Sequence, residues 1–525
     1  MKKLVCVLMM ALAIASCKKP EDSWKNNGTN APTAISASPS SIIDASMSGG
    51  TYTITVKAPA QPTALASESW VSISSSAFRN YQTTLTVTVD PNPSSVNRSA
   101  EITLTSRGAS SVKIPVAQAA RVDVGELSLP ETGALAMSEA LALGWNMGNH
   151  FDAYYNGSWA GANEGYPAED AWDGVKATQA TFDGVKAAGF TSTRIPISWL
   201  KMIGDAPDYK INEVWMNRVY EVVQYAHTAG LYVIINTHHD ENHGVDNTYQ
   251  WLDIKNAAAD PALNETIKAK IKAVWTQIAT KFASCGDWLI FESFNELNDG
   301  GWGWSDEFKK NPKAQCNILN EWNQVFVDAV RAAGGINAVR WLGIPTYAAS
   351  PEFEKYATIP YDPAGKVMLA VHYYDPYDYT IGDKQYLQWG HTAAAGKKPS
   401  DGEERVQSVF GNLHDKYVAK DIPVYIGEFG CSMRDKNDAV AYAFFSYYLE
   451  YIVKAAKEYG MPCFLWDNGA IKSTDVGQEK HGYINHETGE IGPNAAGALQ
   501  AMNRARYTED AAYTLQSVYD SAPRF

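Results

Sequence analysis

Residues 122–525 repeat one pattern: a short apolar run, an amphipathic stretch of helical period, then another run. Runs fall at 143–147, 190–194, 232–237, 288–294, 340–344, 367–372, 424–427 and 463–466. The stretches between them include 176–188, 214–230, 265–283, 317–334, 403–418 and 439–459, several closed by glycine. A strand that lacks a polar face is buried on both sides, the condition of a parallel strand covered by helices. Eight such strands in roughly 400 residues match the count and size of a closed (β/α)8 barrel with insertions. The expected fold is therefore α/β, a TIM barrel.

Two of the eight runs end abruptly on a carboxylate: Leu289-Ile290-Phe291-Glu292-Ser293-Phe294-Asn295-Glu296 and Val424-Tyr425-Ile426-Gly427-Glu428-Phe429-Gly430. Barrel enzymes place their chemistry at the C-terminal tips of the strands. Retaining cleavage of a glycosidic bond needs one neutral carboxylic acid to protonate the departing oxygen and, about 5 Å away, one ionised carboxylate to attack the anomeric carbon. Glu296 and Glu428 fit those two roles. Glu292 falls on the same side of its strand as Glu296, and an inward carboxylate there has to be paired; Arg194 is the expected partner, which makes Glu292 structural. The third run ends His238-His239-Asp240-Glu241-Asn242-His243. His239 and His243 are four apart, but HExxH is absent and the segment leaves a strand for a loop, so His238 and His239 read as ligands for sugar hydroxyls and no metal is expected.

A small all-β module is expected at 34–121, where 51–56, 84–89 and 100–105 alternate with period two between Gly, Pro, Asn and Ser clusters. Residues 17–33 are polar and rich in breakers and read as a tether. Ahead of them, Met1-Lys2-Lys3 is a charged region, 4–15 an apolar one too short to span a bilayer, and Ile14-Ala15-Ser16-Cys17 closes it. That ending resembles the bacterial lipobox, which implies that 1–16 is a signal peptide, that Cys17 carries the lipid, and that the protein is held at the outer membrane by that anchor alone. Lys18-Lys19-Pro20-Glu21-Asp22 resembles a short export signal to the cell surface. The formal charge of −14 excludes nucleic acid and anionic membrane surfaces as partners and favours a neutral or cationic substrate. Sixteen Trp and 29 Tyr supply flat apolar faces suited to sugar rings. Of six cysteines, Cys6 and Cys17 belong to the leader and anchor; Cys285, Cys316, Cys431 and Cys463 form no CxxC, and no disulfide scaffold or structural metal is expected.

Taken together the tips resemble glycoside hydrolase family 5 over about residues 135–505. Gly144-Trp145-Asn146-Met147-Gly148-Asn149-His150-Phe151-Asp152-Ala153 is close to the family's opening motif, and Arg194-Ile195-Pro196-Ile197-Ser198-Trp199, His372-Tyr373-Tyr374-Asp375-Pro376 and Phe464-Leu465-Trp466-Asp467-Asn468-Gly469 follow in order. The resemblance implies a retaining, endo-acting enzyme without cofactor, with Glu296 after strand four as acid/base and Glu428 after strand seven as nucleophile. It implies that Arg194 buttresses the nucleophile, that Asn295 binds the sugar 2-hydroxyl, that His372 lies near the acid/base, that Tyr374 donates to the nucleophile, and that Trp466 underlies the sugar being cleaved. One motif departs: where many members read Glu-Thr-Ala-Trp-Gly-Asn-Pro, this chain has Pro167-Ala168-Glu169-Asp170-Ala171-Trp172-Asp173-Gly174, so the subsite contacts of that motif are not carried over. In the N-terminal module, Ser69-Trp70-Val71-Ser72-Ile73, Asn97-Arg98-Ser99-Ala100 and Ile114-Pro115-Val116-Ala117-Gln118 resemble the BACON module of glycan-degrading bacteria. A spacer role is expected for it, Trp70 belonging to its core.

The expected function is hydrolysis of internal β-1,4 bonds of a glucan backbone (cellulose-like, mixed-linkage or xyloglucan) by a monomeric, lipid-anchored surface enzyme. Mannan or xylan on the same barrel is the next reading. A non-catalytic surface glycan-binding protein on a decayed barrel is the rival, and its expected mark, a lost acid or nucleophile, is absent. Trp159, Trp172, Trp302, Trp304 and Trp389 are candidate sugar platforms in loops after strands.

Overall fold

The computed structural model describes residues 31–45, 49–90, 92, 97–118, 127–243, 247, 249–382 and 386–525. The leader, Cys17 and most of the tether lie outside the described residues. The chain divides into two compact units, Met1–Arg121 and Val122–Phe525.

Among the described residues of the first unit, period-two alternation produces eight strands: β1 (Ser36–Ser38), β2 (Ile42–Ala45), β3 (Gly50–Lys57), β4 (Thr63–Ala66), β5 (Val71–Ser75), β6 (Gln82–Val89), β7 (Arg98–Thr105) and β8 (Val112–Gln118). They form two four-stranded sheets, in the orders β1-β3-β6-β5 and β2-β8-β7-β4. In β6, Leu85, Val87 and Val89 are buried while the intervening threonines are partly exposed, and a single core cluster gathers residues from both sheets. Trp70 packs against that core half-buried, with the Arg98 guanidinium 4.1 Å from its ring centre.

In the second unit, all eight expected runs are strands of a closed parallel barrel: β9 (Leu143–Met147), β10 (Ser192–Ile195), β11 (Tyr232–Ile235), β12 (Leu289–Glu292), β13 (Leu342–Pro345), β14 (Val367–Tyr373), β15 (Val424–Phe429) and β16 (Cys463–Asp467). Six expected helices are present at Gln179–Ala187, Glu213–Thr228, Pro261–Lys281, Pro312–Ala332, Glu403–Lys416 and Ala439–Glu458. Several begin under a side-chain cap, such as Asn212, Asp260 and Asp438, which accept from the first free backbone N–H groups. The helix Ala134–Leu141, which leads directly into β9, was not anticipated.

Alternation along the strands sorts the barrel into layers. Ile234, Ile290, Met368, Ala370, Tyr425 and Phe464 form one apolar cluster together with Trp341 and with Met137 and Leu141 of the leading helix, distinct from the larger core between the strands and the outer helices. One step toward the C-terminal ends, the same faces carry Asn146, Arg194, Asn236, Glu292 and His372, all buried. The apolar layer is a floor, and the site is built on it. Glycines make room for its large members: a Cβ on Gly144 would lie 2.1 Å from the Phe464 ring, and one on Gly343 would lie 2.2 Å from the Tyr425 hydroxyl.

The seventh strand carries the decisive irregularity. Val371 pairs with Ile426 but the next residue, His372, pairs with Glu428; on the other side Ile426 pairs with Cys463 and Phe429 with Leu465. Gly427 is thus an extra residue, a β-bulge. Strict alternation from inward Tyr425 would turn Glu428 outward, and the bulge turns it back in. A Cβ on Gly427 would lie 3.1 Å from His372 Nε2.

Gly343→Ala should cost about 1–3 kcal/mol of stability by overpacking, read as a lower denaturant midpoint. Because the displaced hydroxyl belongs to Tyr425, activity should fall as well, and the double variant Gly343→Ala/Tyr425→Phe should recover part of the stability.

Candidate active site

The site is organised by Arg194, on β10 and fully buried. Its Nε donates to both oxygens of Glu292 (3.1 and 3.0 Å) and one Nη to Glu292 (2.7 Å) and to Asn295 Oδ1 (2.8 Å). The other Nη donates to Asn146 Oδ1 (2.9 Å) and to Glu428 Oε1 (2.8 Å). A guanidinium has five N–H groups, and here each has a partner. Glu292 also accepts from the Tyr425 hydroxyl (2.6 Å) and the Asn236 amide (2.8 Å). Burial opposes its charge, but Arg194 and Tyr425 outweigh burial and hold it below the usual carboxylate range. Arg194 serves Glu292 and Glu428 alike.

Glu428, brought inward by the bulge, accepts from Arg194 and from the Tyr374 hydroxyl (3.1 Å). Glu296 has no such donors. Its close neighbour is His372, whose Nδ1 lies 2.6 Å from Glu296 Oε1 and 3.6 Å from Glu428 Oε2. One oxygen of each glutamate lies within 4.8 Å of one of the other. That falls in the range of retaining enzymes, about 5 Å, and below the 6.5–9.5 Å or so of inverting ones.

The environments of the pair differ. Burial pushes Glu296 up to about 7, helped by the charge of Glu241 and opposed by Arg194, His239 and His243. Burial raises Glu428 too, against the opposing influence of His372 and Arg194. The two bonds from Arg194 and Tyr374 favour charge on Glu428, so the first proton of the pair resides on Glu296. His372 is pushed down to about 4 by burial, with Arg194 acting in the same direction, and is neutral beside them at pH 7. The arrangement offers a protonated acid and an ionised nucleophile facing one gap.

The remaining expected residues line that gap. Asn295 gives its Oδ1 to Arg194, which leaves its NH2 for a ligand. Trp466 and His238 lie parallel, ring centres 5.9 Å apart and planes within 7°, and the Trp466 indole occupies the space where a Gly148 side chain would be. His238 is held neutral, chiefly by burial and then by His239. His239, against the cost of burial, is raised to about 10 by Asp152 (3.6 Å) and Glu241 (3.4 Å). Adjacent imidazoles are thus split into a neutral and a cationic one. His243, four residues on, faces Glu241 at 3.7 Å.

Of the candidate platforms, Trp159, Trp302 and Trp304 are 56, 47 and 77 % exposed, and Trp172 is half-buried against Tyr154 and His239. Trp389 is no platform. It is fully buried among Tyr447, Tyr448 and Tyr451 of the helix Ala439–Glu458, because the loop after β14 folds back onto that helix. Asn146, Asn236 and Tyr425 were missed as members of the site; each lies on the inward face of its strand, which alternation alone could have shown.

The departing motif has its own use. Glu169 and Asp173 turn inward and bracket His150 (3.1 and 2.6 Å). Asp173 also meets His486 Nδ1 (3.0 Å), whose other nitrogen is 3.4 Å from Asp467, and Arg218 grips Glu169 through two bonds. This buried network ties the loop after β9 to the segment after β16. His486 is raised to about 9, Asp173 and Asp467 outweighing the cost of burial.

Comparison with known proteins agrees with this geometry. Residues 151–472 match the family model described as cellulase (glycosyl hydrolase family 5), and 63–119 match the BACON model, described as a putative binding domain. Endoglucanase A of Paenibacillus barcinonensis is 34% identical over 352 residues, covering 64% of this chain and 82% of its own. A xyloglucan-specific endo-β-1,4-glucanase of Bacteroides ovatus is 31% identical over 441 residues, covering 80% and 83%. The solved structure of a broad-specificity endoglucanase from Bacteroides salanitronis superposes with a TM-score of 0.67 at 45% identity, over 73% of this chain and 97% of its own.

Asp173→Ala should cost about 3–5 kcal/mol at pH 7, as removal of one partner from a buried ionic network does. The folded pKa of His486 is raised, so its contribution is complete below its unfolded value near 6.5 and lost as pH rises through about 9. The difference in Tm between wild type and Asp173→Ala should therefore narrow between pH 7 and pH 10.

Proposed function

The chain belongs to glycosyl hydrolase family 5, and from that premise we propose that it is a retaining endo-β-1,4-glucanase in which Glu296 is the acid/base and Glu428 the nucleophile. The observation that carries the assignment is the pair of carboxylates within 4.8 Å in unequal environments. With a glucan across the gap, Glu428 attacks the anomeric carbon while the Glu296 proton passes to the departing oxygen. The glycosyl–Glu428 ester then yields to water, whose proton returns to Glu296. Arg194 and Tyr374 keep Glu428 ionised and aimed. The Asn295 NH2 is available to the 2-hydroxyl, and a hydrogen bond there strengthens as charge develops on the ring. Trp466 offers its face to the sugar being cleaved, with the neutral His238 beside it.

The preferred substrate is a soluble glucan, branched backbones included. The exposed Trp159, Trp302 and Trp304 offer faces to a long chain, and the Bacteroides ovatus relative bears the name of a xyloglucan-specific enzyme. A lipid-anchored enzyme facing outward through Cys17, with 17–33 as tether and 34–121 as spacer, suits a polymer that diffuses to the surface. The spacer role is supported by Trp70, whose ring is occupied by core packing and by Arg98.

Reducing-sugar release should appear on xyloglucan, mixed-linkage glucan or carboxymethylcellulose, with proton NMR showing the β-anomer first; activity confined to mannan or xylan overturns the substrate, and binding without turnover overturns the enzyme. Glu296→Gln should lose about 10²–10⁴-fold in rate, and Glu428→Gln should bind without turnover. The kcat/KM profile should fall above about pH 7, where Glu296 loses its proton, and fall on the acid side as Glu428 becomes protonated. Globomycin-sensitive processing and [³H]palmitate labelling, both lost in Cys17→Ser, test the anchor.

A further inference from the structure

The loop that follows Glu296 carries two exposed tryptophans, Trp302 and Trp304, on a tightly fastened backbone. Asn298 is fully buried, and its side chain reaches both backward and forward along the loop. Its Nδ2 donates to the Glu296 carbonyl at 2.7 Å and lies 3.4 Å from His243 Nε2. Its Oδ1 accepts from the backbone N–H of Gly300 (2.7 Å) and of Trp302 (3.2 Å). Both ends of the amide are thereby used. Asp299 fastens the loop further, accepting from the Gly301 N–H (3.0 Å), the Ser305 hydroxyl (2.6 Å) and the Gln315 amide (3.1 Å). Trp302 itself sits at φ +51°, a left-handed conformation that costs a non-glycine residue and persists only where the surroundings impose it. A buried amide and a strained backbone thus hold an apolar ring out in water, beside the acid.

We propose that Trp302 is a specificity-determining platform for the departing half of the glucan, and that Asn298 is the positioning residue that fixes this platform relative to the acid/base. This rests on Glu296 being the acid/base, because the oxygen that takes its proton belongs to the sugar that leaves. The departing sugar has to lie against the Glu296 segment for that proton to reach it. The topology points the same way: β12, which leads into this loop, stands half-way round the closed barrel from β16, which ends on Trp466. A chain that leaves Trp466 and crosses the gap between the carboxylates comes to the Trp302 loop with its departing sugars. Flat apolar faces of glucose rings fit an indole, and the His243 ring, 5.9 Å away and inclined by 57°, flanks it. Trp304 already has a partner, the Lys309 ammonium 5.1 Å from its ring centre. One amide holds both the Glu296 carbonyl and the Trp302 N–H, so a sugar stacked on the indole is held in register with the acid that serves it.

The test compares kcat/KM on two substrates: the soluble glucan that wild type cleaves best, and 2,4-dinitrophenyl β-cellotrioside, whose leaving group is no sugar and departs without a proton. Trp302→Ala should lose about tenfold on the glucan and much less on the aryl cellotrioside, and Trp302→Phe should recover most of the loss. Asn298→Asp keeps an acceptor for Gly300 and Trp302 but removes the donor to Glu296, and Asn298→Ala removes both. Each should lose about tenfold or more on the glucan and again much less on the aryl substrate. The ratio between the two substrates does not depend on how much of a variant folds. Equal losses on both overturn the proposal by making the loop structural or placing the ring on the other half of the chain; no loss on either overturns it outright. Calorimetric titration of cellohexaose into Glu428→Gln and Glu428→Gln/Trp302→Ala reads the platform without turnover, and equal affinities overturn it. A wild-type protein that cleaves neither substrate, while Trp302→Ala weakens cellohexaose binding, would refute the proposed reaction and uphold the platform.

Discussion

Every charge state at the barrel mouth depends on one buried guanidinium. Arg194 cannot lose its proton and, fully buried, has to be surrounded by acceptors. Glu292 meets it from three of the contacts, Glu428 from one, and Asn146 and Asn295 complete the set. Once Glu292 and Glu428 are both held by a single cation, the site already carries more negative than positive charge. A third ionised carboxylate, Glu296, would add repulsion in a region of low dielectric, and Arg194 has no hydrogen bond left for it. Arg194 spends its hydrogen bonds elsewhere, and burial, the largest influence on Glu296, favours its neutral form.

Glu292 is the silent member of this arrangement. It is enclosed by Arg194, Tyr425 and Asn236 and ties Arg194 of β10 to β12. Tyr425, which caps it, belongs at once to the apolar floor and to the polar layer. Packing in the floor and ionisation in the site are therefore mechanically joined, and Gly343, which leaves room for the Tyr425 hydroxyl, is a part of the catalytic geometry without facing the substrate. The loops add a second tier. The network of His150, Glu169, Asp173, His486 and Asp467 ties the start and end of the barrel together behind Trp466, and the imidazoles after β11 divide into neutral His238 and cationic His239 through their different neighbours.

Much of this was legible in the chain. Apolar runs separated by helical periods specified parallel strands, and an acid at the end of such a run has few places to be except the rim. The partnership of Arg194 with Glu292 followed from alternation and the cost of an unpaired buried charge. Trp389 misled because a tryptophan after a strand reads alike whether its loop stands free or folds onto a helix; only the tyrosines of that helix decide. The departing motif read as a lost subsite because its partners, His150 and His486, are far away in sequence.

By itself the sequence determined the barrel, the module ahead of it and the two strand-tip glutamates as candidates for the chemistry, since each rests on local periodicity or on a residue type at a strand tip. What only the tertiary structure decided is direction and charge. The bulge at Gly427 is a property of how β15 pairs with both its neighbours, and without it Glu428 would point away from the gap. The separation of the carboxylates and the unequal environments of Glu296 and Glu428 depend on distances between segments far apart in the chain, and electrostatic energy is set by distance and burial, not by order along the backbone.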